Sequence, residues 1–352
     1  MSFIKGFLSG TVTSVTCYTL YSLLDVASRE SDVLCPVAPA FLEDVVSLEK
    51  AREILKYGVP DRGPAIRSYS DYVLAYDQAK KIPMWVAEHL HRGKLTGSAN
   101  RKKSQFQPDL DVEKMFSSTN DDYRHSGWSR GHMAPAGNYK YDQRAMSDTF
   151  YLTNILPQDP ENNGGFWNRF EMYCRDLTKK FKDVRILSGP VMLPESEEDG
   201  KLHVNYEVIG KNQVAVPTHL FKVIVAENDD SDMKYVGAFI VPNEPISSHK
   251  LRDFEVSVDY LESKTGVKYL PRLDKSRQLS LCGKDGCTIM SSSEFELDMT
   301  RKKMESAYSV HQLEKSWTEL QNKRIKPDEK LVALYQNRRN ELVEKEKLKR
   351  EL

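Results

Sequence analysis

Apolar side chains recur along the chain with two different periods, which together predict a mixed structure of strands and helices. Alternating or continuous apolar runs, typical of strands, cover eight segments. These are Tyr69–Tyr76, Pro83–His91, Trp128–Met133, Phe150–Leu156, Val184–Ser188, Val204–Ile209, Val214–Glu227 and Tyr235–Val241. Gly210-Lys211-Asn212 separates two of them and predicts a hairpin turn.

Helical spacing of apolar residues appears in four other segments. Phe41–Tyr57 predicts a short helix, and Trp167–Phe181 an amphipathic one directly after an Asn-rich loop. Phe295–Asn322 and Asp328–Leu352 predict two charged helices joined at Lys326-Pro327-Asp328, with Asp328 as the cap of the second. The order strand, turn, strand, loop, helix in the middle of the chain indicates an α+β fold.

The N-terminal segment differs from the rest in its hydropathy. Gly6–Leu24 contains no charge across 19 residues, which is just enough to span a bilayer as a helix. We favour an uncleaved membrane anchor at residues 1–24 over a cleaved signal segment, because no small-x-small cleavage site follows. An amphipathic mitochondrial targeting segment would need more arginine. Residues 25–60 are predicted to be a linker and a short helix.

Charge is balanced overall, with 51 Lys and Arg against 51 Asp and Glu, but it is not evenly distributed. Residues 301–352 contain 14 basic and 9 acidic residues, so the remainder of the chain is net acidic. Any contact with nucleic acid must therefore come from a local patch or from this basic tail. The alternative is that the tail is simply a solvated helical face.

The five cysteines include no Cys-x-x-Cys pair. Cys282 and Cys287 lie five apart, a spacing that fits a turn better than a zinc site. The pattern predicts a reducing or mixed compartment and no disulfide framework.

Three clusters carry the candidate chemistry: Trp128–Pro135, Asn154–Gln158 and Asn162–Glu171. His132, within Ser129-Arg130-Gly131-His132, can accept a proton near neutral pH, and Gly131 allows a tight turn and the approach of a phosphate. Asn163 offers a neutral oxygen that suits Mg²⁺. Glu171 lies eight residues on, about two helical turns away, and could hold a metal-bound water. These groups suit metal-assisted phosphodiester hydrolysis.

Each residue also has a purely structural interpretation. His132 could be a buried histidine with its hydrogen bonds satisfied, Asn163 a loop former, and Glu171 the i+4 ion-pair partner of Arg175. Trp167 is expected in the core.

The residues Ser129-Arg130-Gly131-His132-Met133-Ala134-Pro135 and Phe150–Gln158 resemble the DNA/RNA non-specific endonuclease family, over roughly residues 40–352. The resemblance implies a ββα-metal core with a central antiparallel sheet flanked by helices, and a Mg²⁺ or Mn²⁺ cofactor. It makes His132 the general base, Asn163 the only protein ligand of the metal, and Glu171 and Arg101 catalytic residues.

Asn154 and Arg130 are two further catalytic candidates. Like Arg101, each of them has an alternative role. Arg101 could belong to a solvated basic run, Arg101-Lys102-Lys103. Asn154 could instead hold a strand end, and Arg130 could be either a phosphate clamp or a structural salt bridge.

Within this family the chain resembles the exonuclease G-like branch, relatives of endonuclease G. Ser129 replaces the aspartate of endonuclease G-type proteins, and a helical wing follows the nuclease domain. The resemblance implies a nuclease domain at 61–290, a wing at 291–352 and mainly 5′→3′ exonuclease action on DNA, with RNA as a further substrate. It also implies a homodimer at the mitochondrial inner membrane that acts in mitochondrial DNA maintenance. The alternatives are a degradative endonuclease of the endonuclease G type and an inactive membrane-bound scaffold for nucleic acid.

Overall fold

The computed structural model describes residues 55–57, 63, 66–196, 200–229, 231–247 and 249–351. Of the predicted helix Phe41–Tyr57 only Leu55–Tyr57 is described, as a turn, and Gly6–Leu24 lies outside the described residues. From Gly63 onward the chain forms one compact unit.

A twisted sheet forms the centre of this unit. The strands of the described residues are β1 Ile66–Ser68, β2 Tyr72–Asp77, β3 Ile82–Leu90, β4 Ser129–His132, β5 Ile155–Gln158, β6 Asp183–Val191, β7 Glu195–Ser196, β8 Leu202–His203, β9 Val208–Ile209, β10 Val214–Ala215, β11 His219–Glu227, β12 Lys234–Pro242, β13 Glu255–Val256 and β14 Gln278–Ser280. The order of the central sheet is β1-β2-β3-β6-β11-β12-β13, every pair antiparallel, with β14 added in parallel to β12.

The helices lie around this sheet and at the C-terminal end of the chain. Those in the described residues are α1 Asn120–Tyr123, α2 Gln143–Asp148, α3 Pro160–Asn162, α4 Asn168–Leu177, α5 Val258–Thr265, α6 Leu281–Asp285, α7 Ser292–Glu305, α8 Val310–Asn322 and α9 Glu329–Glu351. A π-helical turn, Asn163–Trp167, joins α3 to α4. The predicted α+β class with a central antiparallel sheet is confirmed.

The sheet is buried on both faces because its middle strands carry apolar side chains on both sides. Along β11, Leu220 and Ile224 point into one core with α4, whereas Phe221 and Val223 point into a second core under α5. The candidate site residues belong to the layer on the α4 side.

Several predicted elements differ in extent from those observed. Phe150–Leu156 is a strand only from Ile155 on, since Leu152–Asn154 forms a 3₁₀ turn. Val214–Glu227 divides into β10 and β11, and the predicted hairpin between β9 and β10 is present, with Gly210 at φ +66°. These interruptions could not be predicted from apolar periodicity, because they do not change which face of the sheet each side chain lies on.

The C-terminal region contains three helices instead of the two predicted. The span Phe295–Asn322 is broken between α7 and α8, where the Ser309 hydroxyl caps α8 by accepting from Gln312 N. The predicted cap at Asp328 is present and accepts from Leu331 N at 2.7 Å. These helices share a separate apolar core, which consists of Met304, Ala307, Leu313, Leu320, Leu331 and Leu342.

The expectation of no disulfide is wrong for one pair. Cys282 and Cys287 are bonded. The chain reverses after α6 at Gly286 and Cys287, both with positive φ, and this turn brings the two sulfurs together.

Candidate active site

The paired strands β4 and β5 present the central histidine. Gly131 lies opposite Leu156 within this antiparallel pair, so the predicted Arg-Gly-His turn is a strand. A Cβ on Gly131 would stand 2.2 Å from Oε1 and 2.7 Å from Cβ of the buried Gln158. Glycine is therefore required here for the close packing of a neighbouring side chain and not for a turn.

His132 is buried, and its imidazole is uncharged at neutral pH. Its ring is 7% exposed and lies 5.2 Å from the Phe106 ring and 5.0 Å, edge-on, from the Phe150 ring. Burial, with the charges of Arg101 and Arg130 as smaller causes, lowers the pKa of His132 to about 3. Its Nε2 atom is buried, with no hydrogen-bond partner in the part of the chain that the structure describes. A neutral imidazole with a free ring nitrogen is the form that can accept a proton.

Asn163 is the first residue of the π-helical turn, and hydrogen bonds hold both its backbone and its side chain. Asp159 caps the preceding helix, accepting from Asn162 N at 2.8 Å, and Asn163 N donates to Asp159 O at 2.9 Å. The side-chain Nδ2 donates to Ser129 Oγ at 3.0 Å, and that hydroxyl donates to Gln158 O at 2.7 Å. With its amide nitrogen engaged, Asn163 keeps its Oδ1 oxygen available at the cleft.

Glu171 lies half-buried on α4, in the same cleft. Burial raises the pKa of Glu171, and the charges of Lys222, Arg175 and Arg101 oppose that rise. The expected alternative, an ion pair with Arg175, is not formed within 4.0 Å among the described residues. Arg175 instead donates to Asn138 Oδ1 at 3.0 Å, so both side chains remain at the cleft.

Arg101 and Arg130 contribute positive charge from two different segments. Arg101 is exposed in a 3₁₀ turn capped by Asn100, and its guanidinium carbon lies 5.6 Å from the Phe150 ring centroid. Arg130 stacks 4.3 Å over the Phe106 ring and donates to Asn120 Oδ1 at 2.6 Å. Neither forms an ion pair with a carboxylate of the described residues. Of the two alternatives for Arg130, the structural salt bridge is thus not found among these residues, and the phosphate clamp stays a prediction.

Together these side chains line a cleft of about 350 Å³. It brings together Arg101, Arg130, His132, Asn163 and Glu171 from four separate segments, and Arg175 joins them. Three guanidinium groups face one carboxylate, which leaves a net positive cleft suited to a phosphodiester.

Asn154 is the exception among the predicted site residues, because it does not line the cleft. It is fully buried, accepts from Ala134 N at 2.9 Å, and donates to Ala134 O at 2.9 Å and Thr149 O at 2.8 Å. These bonds hold the chain two residues after His132. These contacts agree with the alternative role of Asn154, which is to hold the end of a strand.

Sequence reasoning missed three residues at this site. Arg175 could have been found, because it shares a helix face with Glu171 at i+4. Phe106 and Phe150 could not, since nothing local marks an aromatic ring as a neighbour of a distant histidine.

The cleft fits a hard divalent cation held mostly through water. Among the described residues no three His, Cys, Asp or Glu side chains cluster as metal ligands. The available donors are the free Oδ1 of Asn163 and the Glu171 carboxylate, both oxygens, as Mg²⁺ prefers.

Among the described residues, no helix has the length and apolar character that a membrane crossing requires.

Comparison with known proteins places this site in a family. Residues 50–276 match the DNA/RNA non-specific endonuclease family, and residues 290–338 match the endo/exonuclease (EXOG) C-terminal domain. The chain is 52% identical to the mitochondrial nuclease EXOG of Danio rerio, over 83% of this chain and 85% of the relative. It is 42% identical to the Homo sapiens mitochondrial nuclease EXOG, over 98% and 93% respectively.

A solved structure supports the same assignment. EndoG, in a crystal structure of its complex with EndoGI, matches with a TM-score of 0.60 and 39% identity, over 66% of this chain and 95% of that chain. The resemblance inferred from the Arg-Gly-His segment is therefore confirmed. The chain belongs to the DNA/RNA non-specific endonuclease family, whose members hydrolyse nucleic-acid phosphodiester bonds, and within that family to the EXOG-type nucleases.

Proposed function

We propose that His132 is the general base of this nuclease and activates the water that attacks phosphorus. The observation that carries the proposal is the buried, unpartnered Nε2 of a neutral imidazole in a cleft lined by arginines. The proton of the attacking water passes to Nε2, the new P–O bond forms, and the bond from phosphorus to the 3′ oxygen breaks. The 3′ oxygen leaves as an alkoxide and takes a proton from solvent water. Because the pKa of His132 is low, the imidazolium gives its proton to solvent, and the imidazole is neutral again for the next cycle.

The arginines stabilise the negative charge that builds up on the non-bridging oxygens. Arg101 is exposed at the cleft and has no carboxylate partner among the described residues, so its guanidinium is available to phosphate. Arg130 is held by Asn120 and Phe106 and acts as a clamp on a neighbouring phosphate. Contacts of this kind read the backbone and not the bases, which favours DNA and RNA as substrates with weak sequence preference.

A Mg²⁺ or Mn²⁺ ion is the proposed cofactor. Asn163 would hold it through Oδ1, and Glu171 would hold one of its waters. When bound, such an ion supplies positive charge to the phosphorane and to the leaving oxygen. Ser129 and Asn154 act by positioning, the first by fixing the Asn163 amide and the second by fixing the chain beyond His132.

We further propose that the enzyme acts mainly as a 5′→3′ exonuclease with endonuclease capacity. The support is a helical wing with a core of its own and a net positive sequence, which can pack beside the cleft and stop a duplex from passing through. Nuclease domain 61–290 and wing 291–352 are the proposed units.

The location and assembly are also proposals. The names of the EXOG relatives support a mitochondrial protein, and we propose a role in mitochondrial DNA maintenance there. Attachment to the inner membrane through Gly6–Leu24, and a homodimer, stay predictions. Carbonate extraction of mitochondria, with and without residues 1–24, tests the anchor, and light scattering of the purified protein tests the dimer.

The decisive experiment for the chemistry compares His132→Ala with His249→Ala, an exposed histidine outside the cleft. The substrates are 5′-labelled linear DNA and circular DNA, with Mg²⁺ or Mn²⁺ added. His132→Ala should lower kcat about 10²–10⁴-fold, the usual effect of losing a general base, and bind DNA as before. Activity of His132→Ala within tenfold of the His249→Ala control would refute the assignment.

A further inference from the structure

Lys222 is a fully buried charge that the proposed chemistry does not use. It lies in the middle of β11, is 0% exposed, and points to the same face of the sheet as α4. Its ammonium donates to Ser188 Oγ at 2.7 Å, the one hydrogen bond given to it by the described residues. A buried ammonium with a single neutral acceptor is costly, so other groups must stabilise it.

Aromatic rings supply part of that stabilisation. The Lys222 Nζ atom lies 4.5 Å from the Trp167 ring centroid and 5.9 Å from that of Phe170, within the range of cation–π attraction. No described residue forms a hydrogen bond with the buried indole Nε1 of Trp167, so contacts of the ring itself hold the side chain in place. Both rings belong to the segment that begins at Asn163 and ends at Glu171.

Two carboxylates interact with the ammonium at longer range, since neither forms an ion pair with it within 4.0 Å among the described residues. Glu88, on β3, accepts from Asn138 at 2.9 Å and from Tyr139 at 2.7 Å through Oε1, while its buried Oε2 has no hydrogen-bond partner in the described part of the chain. Burial raises the pKa of Glu88 to about 7, and Lys222 is the charge that most strongly opposes this rise. Lys222 is also the leading opposing charge at Glu171. The ammonium therefore acts on a cleft residue and on a core residue at once.

We propose that Lys222 is a positioning residue for catalysis, whose buried ammonium holds the Trp167 ring in place. That ring ends the π-helical turn Asn163–Trp167, so the contact fixes the turn that carries Asn163 at the cleft. This inference rests on the proposed role of Asn163. It predicts that Lys222 influences the rate at a distance, without touching substrate.

The alternative is that Lys222 only balances the charge of Glu88. The double variant Lys222→Met with Glu88→Gln separates the two, because it replaces both buried charges by neutral groups of similar size. Such replacements commonly leave a fold as stable as before. The single variant Glu88→Gln is the matched control, since it keeps the ammonium and its contacts with Trp167.

We expect the double variant to melt within a few degrees of wild type, with kcat at least tenfold lower and KM for DNA within about twofold. Mn²⁺ binding, followed by electron paramagnetic resonance without DNA, should weaken several-fold. Glu88→Gln should keep kcat within twofold. A folded double variant with wild-type kcat and Mn²⁺ affinity would overturn the proposal, because Lys222 would then serve Glu88 alone.

A second variant keeps the test decisive if the double variant does not fold. Ser188→Ala removes the hydrogen bond of the ammonium and nothing from the cleft, so it should lower kcat several-fold at unchanged KM. An unchanged kcat in folded Ser188→Ala would overturn the proposal. Asn163→Ala, measured alongside, distinguishes the two hypotheses: an unchanged Mn²⁺ affinity in Asn163→Ala would refute the ligand role of Asn163, whereas a weakened affinity in Asn163→Ala with no change in the Lys222 variant would refute the positioning role alone.

Discussion

Burial of His132 should make the protein less stable as the pH falls from 7 to 5. The pKa of this imidazole is about 3 in the folded protein, against an ordinary value of 6.5 that the unfolded chain should show. Between these values the unfolded chain binds a proton that the folded protein does not bind. The free energy of unfolding therefore falls as the pH drops through 6.5, and the stabilisation is fully present only above that pH.

The size of the effect follows from the unfolded state. One pH unit corresponds to about 1.36 kcal/mol, and pH 5 lies about 1.5 units below the ordinary pKa of histidine, so the loss is about 2 kcal/mol. Any folded pKa below about 4 gives nearly the same figure. His132→Gln lacks this proton site. The stability difference between wild type and His132→Gln should therefore shift by about 2 kcal/mol between pH 7 and pH 5.

Urea unfolding in metal-free buffer at the two pH values measures this shift. Glu88→Gln provides a control of opposite sign. Because the folded pKa of Glu88 is raised from 4.5 to about 7, the folded protein binds the extra proton there, and wild type should gain stability relative to Glu88→Gln as the pH falls. Phe106→Ala, which opens the imidazole to water, should reduce the His132 effect. Equal losses in wild type and His132→Gln would refute the claim that His132 is desolvated.

Three further predictions concern the groups around this histidine and the wing. Ser129→Ala removes the acceptor of the Asn163 side-chain amide, so the Mg²⁺ concentration for half-maximal activity should rise several-fold with little change in maximal kcat. Identical Mg²⁺ titration curves for wild type and Ser129→Ala would contradict the positioning role of Ser129. Gly131→Ala should lower the free energy of unfolding in urea by about 1–3 kcal/mol, because the new Cβ meets Gln158. Gly165→Ala is the control and should lower it little, since beyond its own turn no described atom lies within 4 Å of the new Cβ. Equal losses in the two variants would count against the packing argument. Deleting residues 291–352 should raise the rate on circular DNA relative to linear DNA, and an unchanged ratio in folded protein would leave the wing without a part in choosing the substrate end.

The order of strands and helices could be largely predicted from apolar periodicity. Strand segments such as Tyr235–Val241 and the helix after Trp167 are found where the pattern places them. Interruptions were harder to predict. The break between α7 and α8, and the 3₁₀ turn before β5, depend on local hydrogen bonds that leave the apolar spacing nearly unchanged.

The candidate site was predictable where the motif itself carries the chemistry. His132, Asn163 and Glu171 lie in short segments of distinctive composition, and the structure brings all three to one cleft with Arg101. The place of Asn154 outside the cleft was not predictable, because an Asn side chain bonds equally well to backbone groups and to a ligand. Only the fold decides which of these it meets.

The sequence by itself determined which chemical groups are present and which of them are close along the chain. Side-chain chemistry and periodicity are local properties, so they could be read without a fold. The tertiary structure alone decided how deeply each group is buried and what lies beside it. Phe106 and Phe150 make the imidazole of His132 neutral, and Lys222 reaches the helix of Glu171 from the middle of a distant strand. Desolvation and Coulomb energies depend on distance in space and on the surrounding medium, and the linear order of residues specifies neither of these.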